Sequence, residues 1–311
     1  MVADRIIVGV YALDHVLLPK PAVAKGWPAR LAEASPVLGL DAALCHLALC
    51  AVPDGWALAD TVDLGGARHH AGTRIAVDAI EGRPGLFLVR LAGKAMGLAS
   101  AAPWVRGAEH LADGADQPAA LAAYVAGTLI DTPDGPRLVE DLTAGDAVTT
   151  LANGSRPLRW VGRRRVELVE LLAHPGLCPV EFAPDVVGNG RALLVSPQQR
   201  MLIDDWRAAV YFGEDRVLVA AQALVDDQAA RVVLPVEGVE YVVLLCDRHE
   251  VLIAEGALSE SFHPGEVGLA ALGQSARAEV EAILPEAELQ RRRAAFPIVR
   301  NAEARALRLS D

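Results

Sequence analysis

The segment that most constrains this chain runs from Ala123 to Val148, AYVAGTLIDTPDGPRLVEDLTAGDAV, because it reverses direction repeatedly within a short span. It starts with a tight step at Gly127-Thr128. The apolar pair Leu129-Ile130 then enters the turn Thr132-Pro133-Asp134-Gly135. Proline presets φ for a turn and glycine supplies positive φ, so this is a hairpin signal with a mechanism. A second strand is expected over Arg137–Glu140, and Ala144-Gly145-Asp146 turns the chain again before Val148. The chain beyond keeps a period of two. In Arg156–Val166, RPLRWVGRRRV, alternation puts Leu158, Trp160 and Gly162 on one face of a strand. Further strands are expected at Pro179–Phe182, Leu193–Ser196, Pro197–Ile203, Arg216–Leu224, Arg231–Leu234, Glu237–Cys246 and Asp247–Gly256. Residues 119–272 therefore read as an all-β domain.

Residues 1–118 read as a separate β-rich domain. Arg5–Ala12, Ala57–Val62, Thr73–Ile80 and Leu86–Leu91 have strand composition and are separated by turns such as Gly65-Gly66 and Glu81–Gly85. Leu40–Val52 is a nearly continuous apolar run that suits either a buried helix or a strand. Short strands with frequent turns predict a β-sandwich-like domain, a small barrel being the other arrangement they allow. Residues 107–119, polar with Gly and Pro, read as the linker. The tail, 273–311, changes to Ala, Glu, Arg and Leu at helical spacing over Ala276–Leu284 and Ala287–Ala294, broken by Pro285 and Pro297.

A chain of 311 residues is long enough for two domains and a substantial core. Its net charge of −11 argues against nucleic acid or an anionic membrane surface as partner. The run Arg163-Arg164-Arg165 reads as a solvated strand end. There is no run of about 18 uncharged apolar residues and no signal-peptide layout, so a soluble protein is expected, cytoplasmic or exported without a leader. The four cysteines lack CxxC spacing and read as free thiols rather than a disulfide framework or a zinc site. His69-His70 has no Cys or carboxylate nearby at ligand spacing and reads as a surface turn. Phosphate loops of the GxxxxGK[ST] or GxGxxG type are missing, as is a GxSxG elbow, so neither a cofactor nor a metal is expected.

Four phrases, in order, make the chain similar to a known family. The opening GTLIDTPDG with VEDLTAGDAV, then LLVSPQQRMLI at 193–203, FGEDRVLVAAQALV at 212–225 and DRHEVLIAEGALSESFHPG at 247–265 resemble the bacterial branch of the Hint domain, the self-cleaving module of Hedgehog proteins and inteins. That resemblance implies a horseshoe of long β-hairpins with pseudo-two-fold symmetry. It also implies a chemistry. A cysteine before the opening aromatic attacks the preceding carbonyl, a histidine in the second phrase protonates the departing nitrogen, and a second histidine assists the later transfer. Residues 1–122 would be the released passenger.

Carried over residue by residue, the nucleophile position is Ala123, the hydroxyl position is Ser196, the motif histidine position is Gln199, and the last phrase supplies Asp247 and His249. The alanine has a methyl group where a thiolate is required, and a glutamine amide does not act as acid or base near neutral pH. The resemblance thus implies a frame without its chemistry. A lone alanine would suit a trapping substitution; the second replacement at Gln199 favours natural decay. Flanked by acids, His249 has two readings: a base oriented by a carboxylate, or a retained structural histidine. The expected role is a scaffold that binds a protein partner or joins a larger surface or particle assembly. The alternative is an autoproteolytic protein, cleaving at the 122–123 bond, captured in an inactivated form. A carbohydrate site on the N-terminal domain is a weaker reading, since sugar sites commonly use stacking rings and aromatics are 5% of this chain.

Overall fold

The computed structural model describes residues 6–18, 31, 36–81, 83–101, 121–226, 228–284 and 293–307. The expected linker at 107–119 and most of the expected helix at Ala287–Ala294 lie outside these residues. Among the described residues, no helix is long and apolar enough to cross a membrane. The chain divides into two compact units. The first holds residues 1–117 with 166–175 and 236–238; the second holds 118–165, 176–235 and 239–311.

In the first unit the strands Ile6–Ala12, Lys94–Ser100, Arg83–Leu91, Arg74–Ile80, Gly55–Leu58 and Leu44–Val52 pair antiparallel, in that order, and close on themselves. The short strands thus form a closed barrel rather than two stacked sheets, which leaves no free edge among the six. The ambiguous run resolves as strand, Leu44–Val52, and the Gly-rich stretch read as a turn at Glu81–Gly85 largely joins the strand Arg83–Leu91. Leu38, Leu86, Leu88 and Leu98 sit in the apolar cluster of this unit. Leu168–Ala173, a helix that period-two reading of the second half missed, packs on the strands 74–80 and 83–91.

The second unit is dominated by one 13-stranded sheet built mostly of antiparallel hairpins. The turn at Thr132–Gly135 forms as expected, with Leu129-Ile130 pairing Arg137-Leu138. The expected strand stops at Leu138, however, and Val139–Asp141 is a 3-10 turn. Gly154–Val166 is the longest strand, with Leu158, Trp160 and Gly162 all buried on one face. Gly162 leaves room for the Trp160 ring, whose Nε1 donates to Glu279 Oε2 at 2.8 Å. Arg163 and Arg165 are exposed near the end of this strand, and Arg163 also donates to the carbonyls of Glu140 and Leu142 at 2.9 and 2.8 Å. Two helices replace expected or unassigned sequence. Ala221–Leu224 ends the strand read as 216–224, and Trp206–Phe212 fills the span after Arg200–Asp204. In the tail, Gln274–Ile283 is helical as expected. Pro297 and Val299 then hydrogen-bond both sides of Leu218, laying the chain along the edge of the strand Arg216–Ala220.

Candidate functional site

The strand Tyr124-Val125 is held between Val239–Cys246 and Leu193–Val195, with Tyr124 opposite both Val242 and Val195. That register sets Ala123 against Ser196. The Ser196 amide donates to the Ala123 carbonyl at 2.9 Å, and the Ala123 amide donates to Ser196 Oγ at 3.0 Å. The serine hydroxyl in turn donates to the Leu121 carbonyl. Ser196 therefore clamps the backbone on both sides of the 122–123 peptide bond. Its proton is committed to a carbonyl, which leaves no arrangement for activating it as a nucleophile.

Gln199 follows in the turn between Leu193–Val195 and Arg200–Asp204, its own amide donating to the Ser196 carbonyl at 3.1 Å. Its side chain is buried, and Nε2 donates to the Glu260 carbonyl at 2.7 Å. The same carbonyl accepts from the Tyr124 hydroxyl at 3.0 Å, which lies 2.8 Å from Ser259 Oγ. Because the phenol donates to the carbonyl, Ser259 must donate to the phenol oxygen. Burial pushes the Tyr124 hydroxyl well above the ordinary phenol range, so it stays protonated.

His249 sits in the connection between Val239–Cys246 and Val251–Ala254, its side chain fully buried. Nε2 lies 3.0 Å from Glu260 Oε2, and Nδ1 accepts the Ala295 amide proton at 2.9 Å. These partners assign the tautomer: Nδ1 carries the lone pair and Nε2 carries the hydrogen, donated to the carboxylate. Neither ring nitrogen is left to take or give a proton to a substrate. The ring of His263 stands edge-on at 4.8 Å.

Glu260 is the hub. Its carboxylate accepts from Arg200 Nη1 at 2.9 and 3.0 Å, from the Arg200 amide at 3.2 Å, and from His249. Its carbonyl takes Gln199 and Tyr124. Of the residues singled out from sequence, Ala123, Ser196, Gln199 and His249 are thus joined through one connected set of hydrogen bonds. Asp247 stands instead 4.0 Å from Arg156, and Glu250 holds Asn153 Nδ2 at 2.8 Å. The carboxylate at His249 Nε2 is therefore Glu260, where sequence proximity had pointed to the flanking acids. Glu260, Ser259 and the Ala295 amide were all missed by sequence reasoning. The available signal was Glu260 itself, an acid within the otherwise apolar and small run ALSESF.

Among the described residues, no group of three or more His, Cys, Asp or Glu is placed to hold a metal ion.

Residues 122–266 match the family model described as the Hint domain. Solved structures similar to this chain include the bacterial intein-like domain from Clostridium thermocellum, at 15% identity and TM-score 0.32, covering 45% of this chain and 97% of its own. A splice-inactive, glutathione-linked variant of the AceL NrdHF class 3 split intein has the same identity, TM-score and coverage. The gp41-1 intein is similar at 9% identity and TM-score 0.26, covering 44% of this chain and 96% of its own. No curated protein matches the chain.

Proposed function

Residues 122–266 of this chain are a Hint domain, and from that premise we propose that the domain no longer cleaves the chain and serves as a scaffold, a pseudoenzyme that binds a protein partner or takes its place in a larger assembly. The observation that supports this most is the closure of the site around Ala123. The position of the nucleophile is a buried methyl group, the amide at the would-be scissile bond is bound by Ser196, and Gln199 spends its amide on the Glu260 carbonyl. General acid–base assistance alone contributes roughly 10² to 10⁴ in rate. Here the nucleophile is missing as well, so no route to a thioester remains. His249 fits a structural role, with both nitrogens engaged.

The test is the intact mass of the full chain after long incubation with dithiothreitol at mildly alkaline pH. The expected result is a single unchanged mass; a fragment ending at Ala122 overturns the proposal. The competing reading is an autoprocessing protein inactivated at two positions, favoured by the retained Ser196 and His249–Glu260 framework. The double variant Ala123→Cys with Gln199→His separates the two. Thiol-sensitive cleavage by that variant supports the competing reading, whereas a chain that stays whole supports the scaffold reading.

A further inference from the structure

The helix Trp206–Phe212 presents a face that the site does not use. Asp205 caps its start, accepting the Arg207 amide at 2.8 Å, and Gly213, in the left-handed region at φ 71°, ends it. Ala208 is the residue it buries. Outward it exposes Trp206 at 72%, Val210 at 65% and Tyr211 at 57%. Trp206 and Val210, four apart, share one face of the helix, and Tyr211 stands about 100° round from Val210, so the three make a broad exposed apolar surface. Beside it lies a groove of about 570 Å³, lined by Trp206 and Ala209 together with Phe296 and Pro297 from the tail. In a chain with 5% aromatic residues, this concentration of rings at the surface is a local departure from composition.

The rim is acidic. Among the described residues, Asp204, Asp205, Glu214 and Asp215 line the groove, against Arg216 alone among the basic ones. Arg216 is committed to Asp204 at 2.7 Å, and neighbouring Arg207 to Asp205 at 3.1 Å. Two of the four acids are thus matched by arginines, and Glu214 and Asp215 are the local excess of negative charge.

We propose that this helix face and groove dock a cationic, amphipathic segment of a protein partner, its apolar residues packed on Trp206, Val210 and Tyr211 and its Lys or Arg side chains reaching Glu214 and Asp215. The inference rests on the scaffold reading and deepens it by naming the partner's chemistry. Trp and Tyr are the residue types that carry binding energy at interfaces, and an exposed indole face also attracts a cation. The charge of the rim excludes other occupants. Nucleic acid and anionic lipid would meet like charge, and so would a second copy of this chain docking through the same face.

Isothermal titration of the full chain with a synthetic amphipathic Leu–Lys peptide, and with its Leu–Glu counterpart of the same spacing, tests the proposal. The Leu–Lys peptide is expected to bind and the Leu–Glu peptide to give no heat. Trp206→Ala should weaken binding by about tenfold or more. The pair Glu214→Gln and Asp215→Asn should weaken it less and flatten its salt dependence. All three positions are exposed, so folding should hold, and circular dichroism melts check this. Absence of binding, equal binding of both peptides, or undiminished binding by Trp206→Ala overturns the proposal. So does a dimer in sedimentation that Trp206→Ala dissociates, because the face would then be covered by another copy. Loss of cleavage is read by mass and stands or falls separately from any of these results.

Discussion

The barrel of the first unit and the long sheet of the second bury different chemistry. Among the described residues, every buried polar or charged side chain lies in the second unit: Thr128, Thr132, Thr150, Asn189, Ser196, Gln199, His249, Glu250, Ser259, Glu260 and Ser261. The barrel interior is apolar, with Leu86, Leu88, Leu98 and their neighbours. Burying a polar group is unfavourable unless each hydrogen bond is replaced, and a buried charge needs a partner. A barrel held by apolar burial alone needs no such network. The sheet retains one although the proposed function gives it no reaction to run. The network's remaining work is then structural: it joins the strands at 124, 200 and 257–260 to the loop at 249 and to the tail at 295. Removing its central member, Glu260, strands Arg200 and His249 together.

The contrast can be broken by substitution. Glu260→Ala should have the largest effect, about 3–5 kcal/mol of stability in urea or calorimetric unfolding, because it leaves Arg200 and the His249 Nε2–H without their acceptor. Glu260→Gln should recover part of that loss. Next, Leu88→Ala in the barrel should cost about 3 kcal/mol through the cavity it leaves, while the volume-conserving Leu88→Met should cost less than about 1.5 kcal/mol. If Leu88→Ala proves the more damaging change, the network is an addition to an apolar core and not its keystone. Smaller again, Gln199→Leu should cost about 1 kcal/mol, since the Glu260 carbonyl keeps Tyr124 as a donor.

The smallest effect is confined to alkaline pH. Burial raises the Tyr124 and Tyr241 hydroxyls above their unfolded values. A folded pKa above the unfolded one stabilises fully below the unfolded value, about 10, and the contribution is lost as pH rises past it. Absorbance at 295 nm should therefore show their phenolates appearing only as the second unit unfolds. The variants Tyr124→Phe and Tyr241→Phe should each remove a part of that late component and the double variant all that the two supply; a late component undiminished in the double variant would sink the assignment.

What could be read in advance was local. Thr132-Pro133-Asp134-Gly135 predicts its own hairpin because Pro and Gly act on their own dihedral angles. Leu158, Trp160 and Gly162 predict a buried face because alternation is a property of one strand. Three features failed for the opposite reason. Ala221–Leu224 has strand-like neighbours but turns helical where its residues enter the core. Trp206–Phe212 shows no regular inward apolar stripe, since Trp206, Val210 and Tyr211 face out while Ala208 and Phe212 turn toward the core. Leu168–Ala173 is short and packs against strands far back in the chain.

By itself, the order of residues determined the β character of both halves, the Hint-like phrases, and the alanine and glutamine at 123 and 199. Turns, alternation and side-chain identity are set within a few neighbouring residues. Only the tertiary structure decided that the first half closes into a barrel and that the partners of His249 are Glu260 and Ala295, eleven and forty-six positions away. Hydrogen bonds require proximity in space, and nothing in sequence spacing encodes which distant strand edge or tail amide folding will bring within 3 Å.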